Sequence, residues 1–365
     1  MSENGPNNVD PKLAGLRREI DQLDQQIVEL LNARARVVVE VGKTKQAGKT
    51  PVYAPDREHA IFQRLAELNK GPLPQVTLKA IYRELMSGSF ALERPLRIGY
   101  LGPQGSYSQM AAQRKFGASV EYLPLADIRA VFEEVSRGHC DLGIVPIENS
   151  VGGGVIDTLD CFIDAHVYIC GEVILDVHHN LLANCPPEQI ATIASKPEVF
   201  AQCRNWLGTF KKVDLLPVAS SSKAAEMAVS TPGLAAIGST MAAEHYGLHI
   251  VFNNIEDNPN NMTRFFVISP TPANRTGNDK TAIMFSTAHR AGALVAVLNV
   301  FSAHGISLTN IVTRPSKRRN WEYYFFVDAE GHCDDANFVQ ALAEARSHCG
   351  ELHVLGSFPQ ARQNV

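Results

Sequence analysis

The sequence predicts a multidomain chain of three structural classes in series. They are an all-α domain over residues 1–94, a two-lobed α/β domain over 95–275 and an α+β domain of ferredoxin-like order over 279–360. Three observations carry this prediction. Residues 12 to 46 place apolar side chains at steps of three and four with no internal proline. From Arg97 onward, short apolar runs alternate with helical segments, the grammar of an α/β domain with mostly parallel sheet. From Thr281 the order is strand, helix, strand, strand, helix, strand, the split βαβ arrangement. A chain of 365 residues is also too long for one ordinary core.

The first helix is read from Leu13, Leu16, Ile20, Leu23, Ile27, Leu30, Leu31, Val37, Val38 and Val41. At ~1.5 Å per residue it would be on the order of 50 Å long. Helices of that length seldom stand without a partner. Gly48 and Pro51 break the pattern, and a second helix starts near Pro55, where proline suits the first turn, and runs to about Asn69. GPLP (71–74) is a turn before a third helix at about 75–93. RIGYL, DLGIVPI, IATIA, VDLLPVA, GLAAIG and RFFVIS then read as strands; SYSQMAAQRKF, QCRNWLGTF and KAAEMAVS read as helices. About 180 residues of this alternation suit two lobes. TPANRTGND (271–279) is linker-like. NNMTRFFVIS (260–269) is odd, because a polar tetrad leads directly into a buried run and buries badly without partners.

Composition narrows the functional classes. The chain is 45% apolar and 20% charged with a formal net charge of −4, which argues against a polyanion-binding protein. No apolar run is long enough to span a membrane, and MSENGPNNVDPKL lacks a signal-peptide core. Seven scattered cysteines without a CxxC read as reduced thiols of a cytoplasmic protein and offer no zinc site. GYLGPQG lacks the GxGxxG spacing and SVGGGV is not a P-loop, so neither a nicotinamide dehydrogenase nor an NTPase is expected. No cofactor and no metal are expected.

In the helical region, Arg34 and Lys45 lie eleven residues apart, so they share a face at a separation of roughly 16 Å. Arg17 falls about 25 Å before Arg34 and on a face about 100° away. One straight helix cannot aim all three at one small ligand; helices of two protomers could. Taken alone, these cations are more readily a solvated surface. The run LRREIDQLDQQIVELLNARARVVVEVGKTK, with DRE at 56–58 and SFALE at 89–93, resembles the all-helical chorismate mutase domain over essentially residues 12–93. The resemblance implies an intertwined homodimer. It implies Lys45 and Glu93 as catalytic, and Arg17 (donated across the dimer), Arg34, Arg57, Glu58 and Ser89 as substrate-binding. Chorismate rearranges by a pericyclic step, so the protein need only hold a dianion in its reactive shape and stabilise charge on the ether oxygen. Some members have glutamine at position 93; Glu93 must be protonated to donate there. Ala54 stands where the family often has an aspartate, which turns attention to Glu58 as the acceptor for the ring hydroxyl.

GPQGSYSQMAA (102–112), VPIENSVGGG (145–154), HHNLL (178–182), ASSSKAAEMA (219–228) and NNMTRFF (260–266) together resemble the prephenate dehydratase domain across about 97–270. That resemblance implies two lobes like a periplasmic binding protein with the site between them. It explains NNMTRFF as a cleft signature. Thr263 is implied as catalytic, with Glu148, Asn149, Ser195, Gln202 and Arg264 as substrate-binding positions. Strand alternation turns Thr263 and Phe265 to one side and Arg264 to the other. Arg264 thus stays open to three roles: structural, bracing the asparagines, or holding the substrate's side-chain carboxylate. Ser195 reads more simply as a core hydrogen bonder. Prephenate must lose carbon dioxide and hydroxide together. Neutral donors such as Thr263, Asn149 and Gln202 suit that step better than a cation clamping the departing carboxylate. Gln104, VGGG and Lys196 depart from common family patterns.

HRAGALVAVLNVFSAHGISLTNIVTRPS (289–316) and WEYYFFVD (321–328) resemble a dehydratase-type ACT domain. This implies phenylalanine as effector, at Gly292, Ala293, Leu294, Thr313 and Arg314. The usual glutamate of the second motif is Val312 here, which leaves room for a module that no longer senses. The three domains in this order resemble bifunctional chorismate mutase/prephenate dehydratases, with chorismate and prephenate as substrates. Two alternatives remain: an amino-acid-binding regulator with degenerate lobes, and a dehydratase acting on arogenate.

Overall fold

The computed structural model describes residues 10–48, 51–210, 213–316 and 322–361. Three helices open the chain: α1 (Pro11–Gly48), α2 (Pro55–Leu68) and α3 (Gln75–Glu93). Their bounds lie close to those the apolar spacing predicts. The length of α1 is roughly 57 Å at ~1.5 Å per residue. It packs on α3, with Gly42 so close to Glu93 that a Cβ would come within 3.1 Å of Glu93 Cγ. Leu13, Leu16, Ile20, Leu23, Ile27 and Leu30 nevertheless remain 44% to 69% exposed. A continuous apolar stripe of this size, left in water, marks an unmet packing surface.

The α/β domain begins with β1 (Arg97–Leu101), α4 (Tyr107–Phe116), β2 (Glu121–Leu125), α5 (Ile128–Ser136), β3 (Leu142–Asn149), a two-residue β4 (Gly153–Gly154), α6 (Ile156–Asp164) and β5 (Tyr168–Asp176). The chain then crosses to a second lobe: β6 (Asn180–Ala183), β7 (Thr192–Ser195), α7 (Pro197–Gln202), α8 (Arg204–Leu207), β8 (Asp214–Pro217), α9 (Ser221–Ser230), β9 (Leu234–Gly238), α10 (Thr240–Tyr246) and β10 (His249–Phe252). It returns through β11 (Met262–Ser269). The first sheet runs β2-β1-β3-β11-β5 and the second β10-β6-β9-β7-β8. The expected mostly parallel sheet is in fact mixed. β11 and β6 run against their neighbours. Each is the strand on which the chain enters its lobe, so the double crossing imposes the reversal.

The last domain comprises β12 (Asp279–Ser286), α11 (Ala293–Ala303), β13 (Leu308–Pro315), β14 (Tyr323–Glu330), α12 (Ala336–Ala345) and β15 (Glu351–Pro359), with antiparallel order β13-β14-β12-β15. One face of this sheet is covered by its helices, around Ile283, Phe285, Val297, Phe301 and Phe338. On the other face, Met284, Tyr324, Phe326 and Phe358 join Phe162, Ile169 and Phe266 of the first lobe in one core. β15 lies on β5 so closely that a Cβ on Gly356 (φ +151°) would collide with the Ile169 backbone. The domain is therefore fused to the first lobe, which the linker-like 271–279 does not foretell. No helix among the described residues is long and apolar enough to cross a membrane.

Candidate active sites

Where α1 and α3 run together, two polar pairs form. Arg34 Nη1 donates to Ser89 Oγ at 2.7 Å, and the buried Ser89 hydroxyl donates in turn to Leu85 O at 2.7 Å. Lys45 Nζ donates to Glu93 Oε2 at 3.1 Å and to Val52 O at 3.0 Å. Lys45 and Glu93 line a cavity of about 340 Å³ whose other walls include Arg94, Asp141, Ser269 and Thr271. Arg57 is exposed, and so is Arg17, on α1 about 25 Å from Arg34. The fold thus gathers Arg34, Ser89, Lys45 and Glu93 within one chain and leaves Arg17 apart.

Glu58 has partners within the chain. Its Oε2 accepts from Tyr53 Oη at 2.8 Å and from Lys115 Nζ of α4 at 2.8 Å. A half-buried carboxylate at a domain boundary takes the nearest cation, so Glu58 ties the helical domain to the first lobe. Burial, with Glu58 beside it, pushes the Tyr53 phenol well above its ordinary value, so it stays a donor.

The cleft between the lobes is built from the end of β3 and the two crossings. β11 pairs Thr263 with Asn149 of β3. Asn149 Oδ1 accepts from the amides of Val151 (3.1 Å) and Gly152 (2.8 Å), which fixes the side chain with its nitrogen toward β11. Nδ2 then donates to Asn261 Oδ1 (2.7 Å), Met262 O (3.1 Å) and Thr263 Oγ1 (2.9 Å). Because Thr263 Oγ1 is an acceptor here, its own proton remains available to another oxygen. Gln202 Oε1 accepts from Asn261 Nδ2 at 3.4 Å and lies 2.8 Å from His179 Nε2. The other ring nitrogen of His179 is 3.0 Å from Tyr107 Oη, which donates to His178 O at 2.7 Å. A chain of hydrogen bonders so runs from Tyr107 to Thr263, and the polar tetrad of the sequence finds its partners there.

Burial lowers the pKa of His179 below its ordinary 6.5, so the chain is uncharged at neutral pH. Glu256, beneath it, lies below its ordinary value. Burial alone would raise it, but the bonds from His178 and from backbone amides outweigh that. The sign for stability follows from His179: an unfolded chain protonates this ring at higher pH than the folded one. Its contribution is full above about pH 6.5 and is lost as pH falls below that. Thermal unfolding is expected at a lower temperature at about pH 5.5 than at about pH 7.5, and His179→Gln should narrow the gap. An equal gap in both proteins would contradict the assignment.

The lobes meet at Gly105. Ser239 Oγ donates to Gly105 O at 2.7 Å, and a Cβ on Gly105 (φ +79°) would stand 2.8 Å from Ala242 Cα. Gly105→Ala is expected to hold the lobes apart and cut the turnover of the cleft about tenfold or more, while any activity at the Lys45–Glu93 cavity is kept. Unchanged turnover at the cleft would show that closure tolerates the methyl.

Four further residues are held by partners of their own. Ser195 is fully buried; its Oγ donates to Ile237 O at 2.9 Å and lies 3.2 Å from Ser221 Oγ, inside the second lobe and off the cleft. Glu148 and Arg264 face away from Thr263, as the period of two requires. Arg264 pairs with Glu172 and Asp328, and Glu148 accepts from Asn310 at 3.3 Å. Arg314 also turns inward, its Nη2 binding both oxygens of Asp160 at 3.0 and 3.1 Å. Alternation along β13 therefore separates Arg314 from Thr313, which is exposed on the helix-covered face with Gly292 (φ +80°), Ala293 and Leu294 at the start of α11. Among the described residues, His332, Cys333 and Asp334 bring metal-ligating atoms together, but the His332 Nδ1 accepts the Asp334 amide at 3.2 Å in a tight turn.

Family models match in the same order: chorismate mutase type II over residues 16–94, prephenate dehydratase over 98–273 and ACT domain over 281–346. The bifunctional chorismate mutase/prephenate dehydratase of Stutzerimonas stutzeri is 42% identical over 96% of this chain and 98% of its own. The chain belongs to the bifunctional chorismate mutase/prephenate dehydratase family. The Aquifex aeolicus member is 40% identical over the same shares of the two chains. A prephenate dehydratase from Arthrobacter aurescens, solved in complex with L-Phe, is 31% identical and superposes on 73% of this chain and 90% of its own with a TM-score of 0.68.

Within the framework of this bifunctional family, sequence reasoning left out Tyr107, His179 and Asn261 as site residues. All three lie inside the motifs SYSQ, HHNLL and NNMTRFF that carry the resemblance. The signal was present, but only the crossing of the lobes turns three separate motifs into one hydrogen-bonded chain.

Proposed function

We propose that this chain rearranges chorismate to prephenate over residues 1–94, and decarboxylates and dehydrates prephenate to phenylpyruvate over residues 95–275. In the same reading, residues 279–360 bind phenylalanine as a feedback effector, through Gly292 to Leu294 and Thr313. The observation that carries the reading is the Asn149–Thr263 contact at the end of a run of neutral hydrogen bonders between the lobes.

At the first site, Arg34 and an Arg17 from a second copy grip the two carboxylates of chorismate, and the Lys45–Glu93 pair reaches the ether oxygen. Arg57 completes the basic rim. The exposed stripe of α1 supplies the surface for that second copy: burying apolar area stabilises by ~25 cal/mol per Å². The homodimer and the donated Arg17 stand or fall together.

At the second site, the bond from the ring to its carboxylate breaks and releases carbon dioxide. Its electron pair enters the ring, and the carbon–oxygen bond opposite breaks to expel hydroxide. Thr263, whose hydroxyl proton is free because Asn149 donates to its oxygen, delivers a hydrogen bond or proton to the leaving oxygen. Aromatisation drives the step, so an uncharged cleft avoids stabilising the carboxylate that must leave. The free thiol state of all seven cysteines fits a reducing cytoplasm.

Steady-state assays with chorismate, prephenate and arogenate, each with and without phenylalanine, test this reading. Turnover of chorismate and prephenate, with the second slowed by phenylalanine, is expected. Binding of phenylalanine without turnover of either would instead favour a regulator with degenerate lobes.

A further inference from the structure

The strand pair that carries Asn149 and Thr263 has a second face. Arg264, one residue after Thr263, is register partner of Glu148, one residue before Asn149. In the C-terminal domain, Asn310 and Asp328 are likewise register partners on β13 and β14. The two pairs oppose each other directly: Glu148 accepts from Asn310 at 3.3 Å, and Arg264 Nη1 donates to Asp328 Oδ2 at 2.5 Å. Arg264 is held from three sides. Its Nε donates to Glu172 Oε2 at 2.8 Å, and its guanidinium lies 4.7 Å from the centre of the Phe266 ring. Glu172, nearly fully buried, also accepts the Ala361 amide at 2.8 Å and faces Lys280 Nζ at 3.7 Å. So both residues flanking the reactive pair are gripped from below by the C-terminal domain.

We propose that Arg264 and Asp328 are positioning residues for dehydration: the ion pair under β11 fixes the strand so that Thr263 meets the leaving oxygen. The inference rests on the reading of Thr263 given above. A strand transmits this simply, because Thr263 and Arg264 share one peptide unit and their side chains stand on opposite faces. Reacting groups must be held within about 0.5 Å, and a displacement of about 1 Å can cost ~100-fold in rate. The C-terminal domain thereby becomes part of the dehydratase site as well as the proposed sensor.

Kinetics of Asp328→Asn, Arg264→Gln and the double variant in the full chain test the proposal, with mutase turnover in the same sample reporting the folded fraction. Asp328→Asn is expected to lower dehydratase kcat about tenfold or more with KM changed less than about threefold and mutase unaffected. The double variant should be no slower than Arg264→Gln alone, since both act through one contact. Dehydratase kcat within about twofold of the parent in Asp328→Asn, or losses that multiply in the double variant, would overturn it. Should Asp328→Asn also lose mutase activity, Arg264→Lys decides. It keeps the buried charge but cannot hold Glu172 and Asp328 together, so the same fall in kcat is expected, and full turnover refutes the role. If Thr263→Ala itself keeps its dehydratase rate, the reading of the cleft fails; if only Asp328→Asn does, this inference alone fails.

Discussion

Arg17→Ala is expected to lower mutase kcat/KM by about 100-fold or more, ~3 kcal/mol, and to leave dehydratase turnover unchanged. The size follows from removing one charged partner of a carboxylate in the site. Arg34 is engaged with Ser89 and Lys45 with Glu93, so neither can swing into the vacated place. A mixing experiment sharpens the test. In an intertwined dimer each site takes Arg17 from one chain and Lys45 from the other. Arg17→Ala mixed with Lys45→Ala, each nearly inactive alone, then regains one intact site in every hybrid, about a quarter of parental mutase activity after random exchange. No recovery after verified subunit exchange would remove the cross-chain role.

Thr263→Ala is expected to cost about 100- to 1,000-fold in dehydratase kcat, with modest change in KM and normal mutase turnover. The donor acts on charge that appears only as the hydroxide leaves, so its loss should be felt in turnover more than in binding. Thr263→Ser, which keeps the hydroxyl beside Asn149, should recover most of the rate. An alanine variant with parental kcat would move catalysis elsewhere in the Tyr107–Gln202–Asn261 chain.

What the sequence could say depended on range. The three helices and the strand RIGYL were legible because apolar spacing and proline placement are local signals, and the opposite facing of Thr263 and Arg264 followed from the period of a strand. Which element Arg264 would meet was not legible. Asp328 lies sixty-four residues downstream, and only the fusion of the last sheet onto the first lobe brings it there. The partner of Glu58 was not legible for the same reason, since Lys115 lies on α4 of the first lobe, 57 residues downstream. Arg314 was grouped with Thr313 as a neighbour in sequence, although neighbours on a strand face opposite ways. Gly105 gave no hint of its role, which exists only when Ala242 of the other lobe arrives.

The central claim is that two separate sites work in sequence. The Lys45–Glu93 cavity reaches Ser269 at one end of β11, while Thr263 lies at the other end, about 20 Å away at ~3.3 Å per residue. The most direct measurement is a product time course of the intact protein fed chorismate alone. Prephenate is expected to rise in solution, pass through a maximum and fall as phenylpyruvate accumulates. Chorismate left unconsumed, or prephenate that accumulates and is never converted to phenylpyruvate, would contradict it.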